Sequence, residues 1–147
     1  MPDIFTLLKD PDDKKAYAFF KELKAESEKS NIHYNDFEGF LELIRDDSSY
    51  VRTRGFSLCC AQARWDDEGK LQKHLPQLLV VLHDERPTAV RQCIKALHEV
   101  AEYRSDLCNM IESGLSGIEL SKYSDSMRPL IVKDRDGLLK KISKIQN

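Results

Sequence analysis

Apolar residues recur at steps of three and four along almost the whole chain, the period of helices with one buried face. Behind Asp10-Pro11, a capping side chain followed by a residue that gives up no needed N–H, the stripe Ala16, Phe19, Phe20 and Leu23 predicts a helix from 11 towards Ser30. Asn35 or Asp36 can cap a second helix carrying Phe37, Phe40, Leu41 and Ile44. After the turn Asp46–Tyr50, the positions Val51, Gly55, Leu58, Cys59 and Gln62 predict a third. Asp66 or Asp67 starts a fourth with Leu71, Leu75, Leu78, Leu79 and Leu82, in which Pro76 should kink the axis or remove a backbone bond. Val90, Ile94, Leu97 and Ala101 mark a fifth. Past Tyr103 the pattern weakens. Ser105 can cap a segment with Leu107, Cys108 and Ile111, interrupted by Gly114 and Gly117, and Ser126-Met127-Arg128-Pro129 opens a last helix with Ile131, Leu138 and Ile142. No β-branched alternation and no glycine cluster is present, so neither a sheet nor a phosphate-cradling loop is expected.

The pair Val51-Arg52 returns as Val90-Arg91 and as Met127-Arg128, each time just after an acidic turn. A period near 40 residues with helices on both sides of the turn predicts an α-solenoid. One hairpin cannot bury its apolar face, whereas stacked hairpins share a core. The expected organisation is a single all-α domain over 1–147. It comprises an N-terminal helical cap (1–33), hairpins at 35–64 and 67–103, and a degenerate hairpin at 105–145.

The run Asp84-x-x-Pro87-x-x-Val90-Arg91, continuing to Ile94 and Ala96-Leu97, resembles the HEAT repeat, in which an acid and a proline in the turn precede Val-Arg at the start of the second helix. The first copy has Ser48 in place of the proline, and the third keeps Asp125 with Pro129 after the arginine. Tyr50-Val51-Arg52-Thr53-Arg54-Gly55, Arg91-Gln92-Cys93-Ile94 and Ser121–Leu130 also resemble small bacterial HEAT-like proteins, some of them labelled SufBD-like. The resemblance implies an α-α superhelix of about three hairpins whose second helices line a concave face.

Composition narrows the functions open to such a fold. A charged fraction of 33% and a hydrophobic fraction of 41% suit a charge-rich helical domain, and a net charge of −2 argues against holding nucleic acid by bulk electrostatics. Charge is uneven: residues 1–47 carry 12 acidic and 7 basic side chains, residues 48–147 carry 13 and 16. The first residues lack the basic stretch and apolar run of a secretory signal, and the longest apolar run, Leu78–Leu82, has five residues, so a cytoplasmic protein without membrane contact is expected. Cys59, Cys60, Cys93 and Cys108 lack metal-ligand spacing and read as small buried hydrophobes. The four histidines are scattered. No metal or cofactor is implied.

Arg52, Arg91 and Arg128 form a ladder, one rung per hairpin, with Arg54 alongside and Gln92 and Trp65 as neutral donor and stacking surface. Guanidinium groups grip carboxylate and phosphate in a two-pronged geometry, so this set points to an anionic segment or partner protein bound without catalysis. Two roles are open to the ladder, because in HEAT-like repeats turn Asp and helix Arg also pair, here as Asp46 with Arg52 and Asp84 with Arg91. The alternative is action on nucleic acid in the manner of HEAT-like alkylpurine DNA glycosylases, with Trp65, Asp66 and Arg91 cast as base-stacking ring, carboxylate and arginine.

Overall fold

The computed structural model describes residues 2–147. It is all-helical, with 78% helix and no strand among the described residues. The helices are α1 (Ile4–Leu8), α2 (Asp13–Lys29), α3 (Phe37–Glu42), α4 (Ser49–Cys60), α5 (Lys70–Leu79), α6 (Pro87–Tyr103), α7 (Cys108–Ser116) and α8 (Arg128–Gln146). Short 3₁₀ turns extend several of them, including Leu43–Arg45 after α3 and Val80–His83 after α5.

Local chemistry sets the helix ends. Asp12 rather than Asp10 caps α2, its Oδ1 accepting from the backbone N–H of Lys14 at 3.1 Å and of Lys15 at 3.4 Å, while Asp10 holds the N–H of Asp12 at 2.9 Å. Two acids thus share the entry into this helix, so it begins at Asp13 instead of beside Pro11. The five-residue α1 is capped by Asp3 on the N–H of Thr6 and lies in the stretch read only as cap. Asp46 and Asp84 do identical work in their turns, each accepting the N–H two residues on, from Ser48 at 3.0 Å and from Arg86 at 2.9 Å. The α5 helix runs through Pro76 without a break. Gln72, whose carbonyl loses its donor there, is exposed together with Pro76, so water can replace the missing bond.

The helices pack in succession, α4 on α6 and α6 on α8, with α2 against α4. Hydrogen bonds and ion pairs at both ends show these four helices to run parallel. Arg54 near the start of α4 meets Asp13 at the start of α2, and Trp65 just past α4 reaches the Ser27 carbonyl near the end of α2. Arg52 and Arg64 bracket α4 against Asp84 and Glu99 at the two ends of α6. Arg91 and Glu102 of α6 meet Asp134 and Lys141 of α8. Beneath this row lie α3, α5 and α7, and the apolar side chains form one continuous cluster from Leu8 to Ile142.

The α4 helix is enclosed on most sides. Val51, Phe56, Leu58, Cys59 and Cys60 are buried, and Gly55 lets its backbone ride on the end of α3. A Cβ at Gly55 would stand 2.5 Å from the Phe40 carbonyl oxygen and 2.6 Å from the Leu43 Cβ, both rigid neighbours. Gly55→Ala is therefore expected to lower stability by about 1–3 kcal/mol in thermal unfolding followed by circular dichroism. The control is Gly137→Ala in α8, where nothing lies within 4 Å of the added carbon. That change should stabilise by roughly 0.5–1 kcal/mol, and equal effects of the two would overturn this account of the α3–α4 contact.

Candidate functional site

Two of the three ladder arginines, Arg52 and Arg91, reach towards the next long helix. Arg52 sends Nε and Nη2 to the two carboxylate oxygens of Asp84 at 2.8 and 3.1 Å, and Nη1 to the carbonyls of Asp46 and Asp47 at 2.9 Å each. The guanidinium thus spends four of its five N–H donors in joining one acidic turn to the next; its carboxylate partner is Asp84, and Asp46 offers only its backbone carbonyl. Asp84 holds the Arg52 pKa above its ordinary value, against the pull of burial. Arg91 pairs with Asp134 of α8, not with Asp84, at 2.6 Å through Nε. Arg128 turns back on its own turn, donating to the Tyr123 carbonyl at 2.7 Å and pairing with Asp125 at 3.2 Å. Arg54 is buried, donating to the Leu8 carbonyl at 2.9 Å and to Asp13 at 3.1 Å, so it anchors the α1–α2 segment onto α4.

Trp65 and Asp66 also have internal partners. The Trp65 indole N–H donates to the Ser27 carbonyl at 2.6 Å and ties the end of α2 to the turn after α4. The Asp66 carboxylate is fully buried. It accepts from the backbone N–H groups of Lys70 and Leu71, from the Tyr34 hydroxyl at 2.6 Å, and from Arg104. Burial and the bond to Asp66 drive the Tyr34 hydroxyl pKa well up. The trio Trp65, Asp66 and Arg91 therefore occupies three separate settings and shares no cavity. Burial also raises the thiol pKa values of Cys59, Cys60 and Cys93, which keeps them protonated and inert.

What the fold does bring together is a groove over α4, walled by α2 and α6, with a volume of about 510 Å³. Its floor is a polar stripe of α4 at steps of four, Ser49, Thr53 and Ser57. From α2 come Lys14, Tyr17, Phe20 and Lys24, and from α6 come Thr88, Gln92 and Lys95. Tyr17 is 54% exposed and Tyr50 of α4 is 61% exposed, large rings left open in the groove. Arg54 lines it too, but Asp13 neutralises that charge at the rim. Among the described residues Lys14, Lys24 and Lys95 make no ion pair, and they leave the groove positive. Of the residues singled out from sequence, Arg54 and Gln92 reach this groove, while Arg52, Arg128 and Trp65 do not and Arg91 lines a neighbouring hollow.

The lysines and tyrosines were not among the sequence candidates. Their signal was present in part: Lys14, Tyr17 and Lys24 share one edge of α2 beside its apolar stripe. Comparison with protein-family models, curated proteins and solved structures finds no match to this chain. Among the described residues no helix is long and apolar enough to cross a membrane.

Proposed function

We propose that this chain is a non-enzymatic interaction module, a short superhelix of HEAT-like hairpins that holds an acidic segment of a partner protein in the groove between α2, α4 and α6. The HEAT-like reading is supported by the parallel row α4, α6, α8 and by arginines at matching positions that link each helix to the next. The observation that carries the binding reading is the contrast in charge use. Arg52, Arg54, Arg64, Arg91 and Arg104 are committed to holding separate elements together, while three lysines around one groove keep no internal ion-pair partner.

An acidic segment fits this groove better than a nucleic acid does. Carboxylates can meet Lys14, Lys24 and Lys95, apolar residues between them can lie on Tyr17, Tyr50 and Phe20, and the α4 hydroxyls and Gln92 can take backbone groups. A long polyanion would also meet the acid-rich N-terminal third, in a chain whose net charge is −2.

The test is fluorescence anisotropy with a labelled Glu- and Leu-rich peptide and, in parallel, a single-stranded oligonucleotide. The triple variant Lys14→Glu, Lys24→Glu, Lys95→Glu should keep its melting temperature and weaken peptide binding by about tenfold or more. Oligonucleotide binding with a steep salt dependence and no peptide binding would transfer the groove to nucleic acid. Equal peptide affinity for wild type and variant would remove the groove from consideration.

A further inference from the structure

We propose that a small oxyanion of the phosphate class binds in a second hollow, between α6 and α8, on Arg91, Lys95, Thr88 and Gln92. This hollow has a volume of about 340 Å³ and adjoins the groove along α6. It shares Thr88, Gln92 and Lys95 with the groove, but Lys14 and Lys24 do not line it, and Arg91, His98 and Asp134 belong to it and not to the groove.

Most of its polar groups come from one helix face. Thr88, Arg91, Gln92, Lys95 and His98 follow one another along α6 at steps of three, one, three and three, which stacks them on a single side. The only carboxylate in the lining is Asp134 of α8. It takes Arg91 Nε at 2.6 Å and Nη2 more loosely at 3.5 Å. Among the described residues Nη1 makes no hydrogen bond, and the Arg91 side chain is 36% exposed. Asp134 thus fixes the plane of the guanidinium and cancels one charge, while two-pronged donation remains possible from the other edge. Lys95 adds a positive charge with no internal partner, and the Thr88 hydroxyl and Gln92 amide add neutral donors. A tetrahedral oxyanion matches that donor set; a metal ion does not, with one carboxylate already committed to an arginine.

His98 supplies a reporter. The charged groups around it are Arg91 and Lys95 on its own helix and Asp134 and Lys141 on α8. Burial and Lys141 hold its pKa below the ordinary histidine value, and Asp134 pulls the other way. The imidazole is therefore neutral at pH 7. An anion in the hollow offsets the repulsion from Lys141, so bound oxyanion raises the His98 pKa.

Titrating the full chain with inorganic phosphate against matched chloride, read by ¹H–¹⁵N NMR, tests this. The expected result is saturable shifts at Arg91 Nε–H, Thr88 and the His98 ring. A parallel titration with phenyl phosphate decides between a free oxyanion and a phosphomonoester: tighter binding of the ester assigns the site to an ester, equal or weaker binding to the free ion, and either supports it. Arg91→Gln should weaken binding by about tenfold or more. Asp134→Asn keeps an acceptor for Arg91 and removes the opposing charge, so it should bind phosphate several-fold more tightly, an effect that loss of a merely structural ion pair would not produce. Non-saturating shifts, or identical titrations for wild type, Arg91→Gln and Asp134→Asn, would overturn the proposal.

Discussion

Replacing Arg54 by Glu is expected to lower the stability of the domain by about 3–5 kcal/mol, enough to unfold much of the population of a marginally stable protein. Arg54 is 4% exposed and spends its guanidinium on two groups far away in sequence, the Leu8 carbonyl at the end of α1 and Asp13 at the start of α2. Glutamate there would bury a carboxylate against a carbonyl oxygen and a second carboxylate, with no donor for either. Arg54→Met should be milder, about 1–3 kcal/mol, the cost of an unpaired buried carbonyl. Asp13 is half exposed and can return to water once its partner is gone. Urea unfolding by circular dichroism gives both values. The order Glu worse than Met, with both well below wild type, is the expected outcome. A Glu variant that unfolds at the wild-type urea concentration would mean that Arg54 is a surface residue after all. This also fixes how groove variants must be designed: charge reversal belongs on Lys14, Lys24 and Lys95, whose loss leaves no internal partner stranded.

The contrast between Arg54 and Arg52 shows how far sequence could lead. Arg52, Arg91 and Arg128 were legible because they recur, each near the start of a helix just after an acidic turn. Their partners were not legible, because the pairing of Arg52 with Asp84 depends on how far α6 is displaced along α4, a matter of packing that no spacing encodes. Arg54 sits two residues from Arg52 and reads as its solvent-facing neighbour. Only the α1–α2 segment folding over it makes it a buried anchor, and the apolar stripe that announces α2 does not say which residue of α4 its N-terminus meets. The helix α4 was legible from Val51, Gly55, Leu58 and Cys59, but its burial on several sides was not, since a helix so covered has no single apolar stripe. The candidate groove was hidden for a different reason. Its lysines and tyrosines come from α2, α4 and α6, and only the parallel stacking of those helices brings Lys14 and Lys95 to one rim.

Asp66→Ala is the second large loss expected, again about 3–5 kcal/mol. The side chain does two jobs that ordinarily fall to separate residues. It caps α5 through the N–H groups of Lys70 at 2.8 Å and Leu71 at 3.1 Å, although Gly69, with a φ of 72°, intervenes in the chain. It also receives the Tyr34 hydroxyl from the turn before α3 and the Arg104 guanidinium from the end of α6. Removing it strands donors from three elements at once, and only Arg104 keeps an alternative, in Asp106 at 2.9–3.0 Å. Arg104→Met should cost less than Asp66→Ala, because Tyr34 and two backbone N–H groups still satisfy the carboxylate. Asn at 66 should fall between them, since it retains an acceptor for the helix cap but turns an amide N–H₂ toward other donors. Urea denaturation of the three variants, with hydrogen exchange at Lys70 and Leu71 as the local probe, checks the ranking. Exchange at these two amides should accelerate in Asp66→Ala and stay near wild type in Arg104→Met. If Asp66→Ala retained both its midpoint and its protection, the carboxylate would be idle in the fold and available for chemistry, which would favour the catalytic reading of Trp65, Asp66 and Arg91.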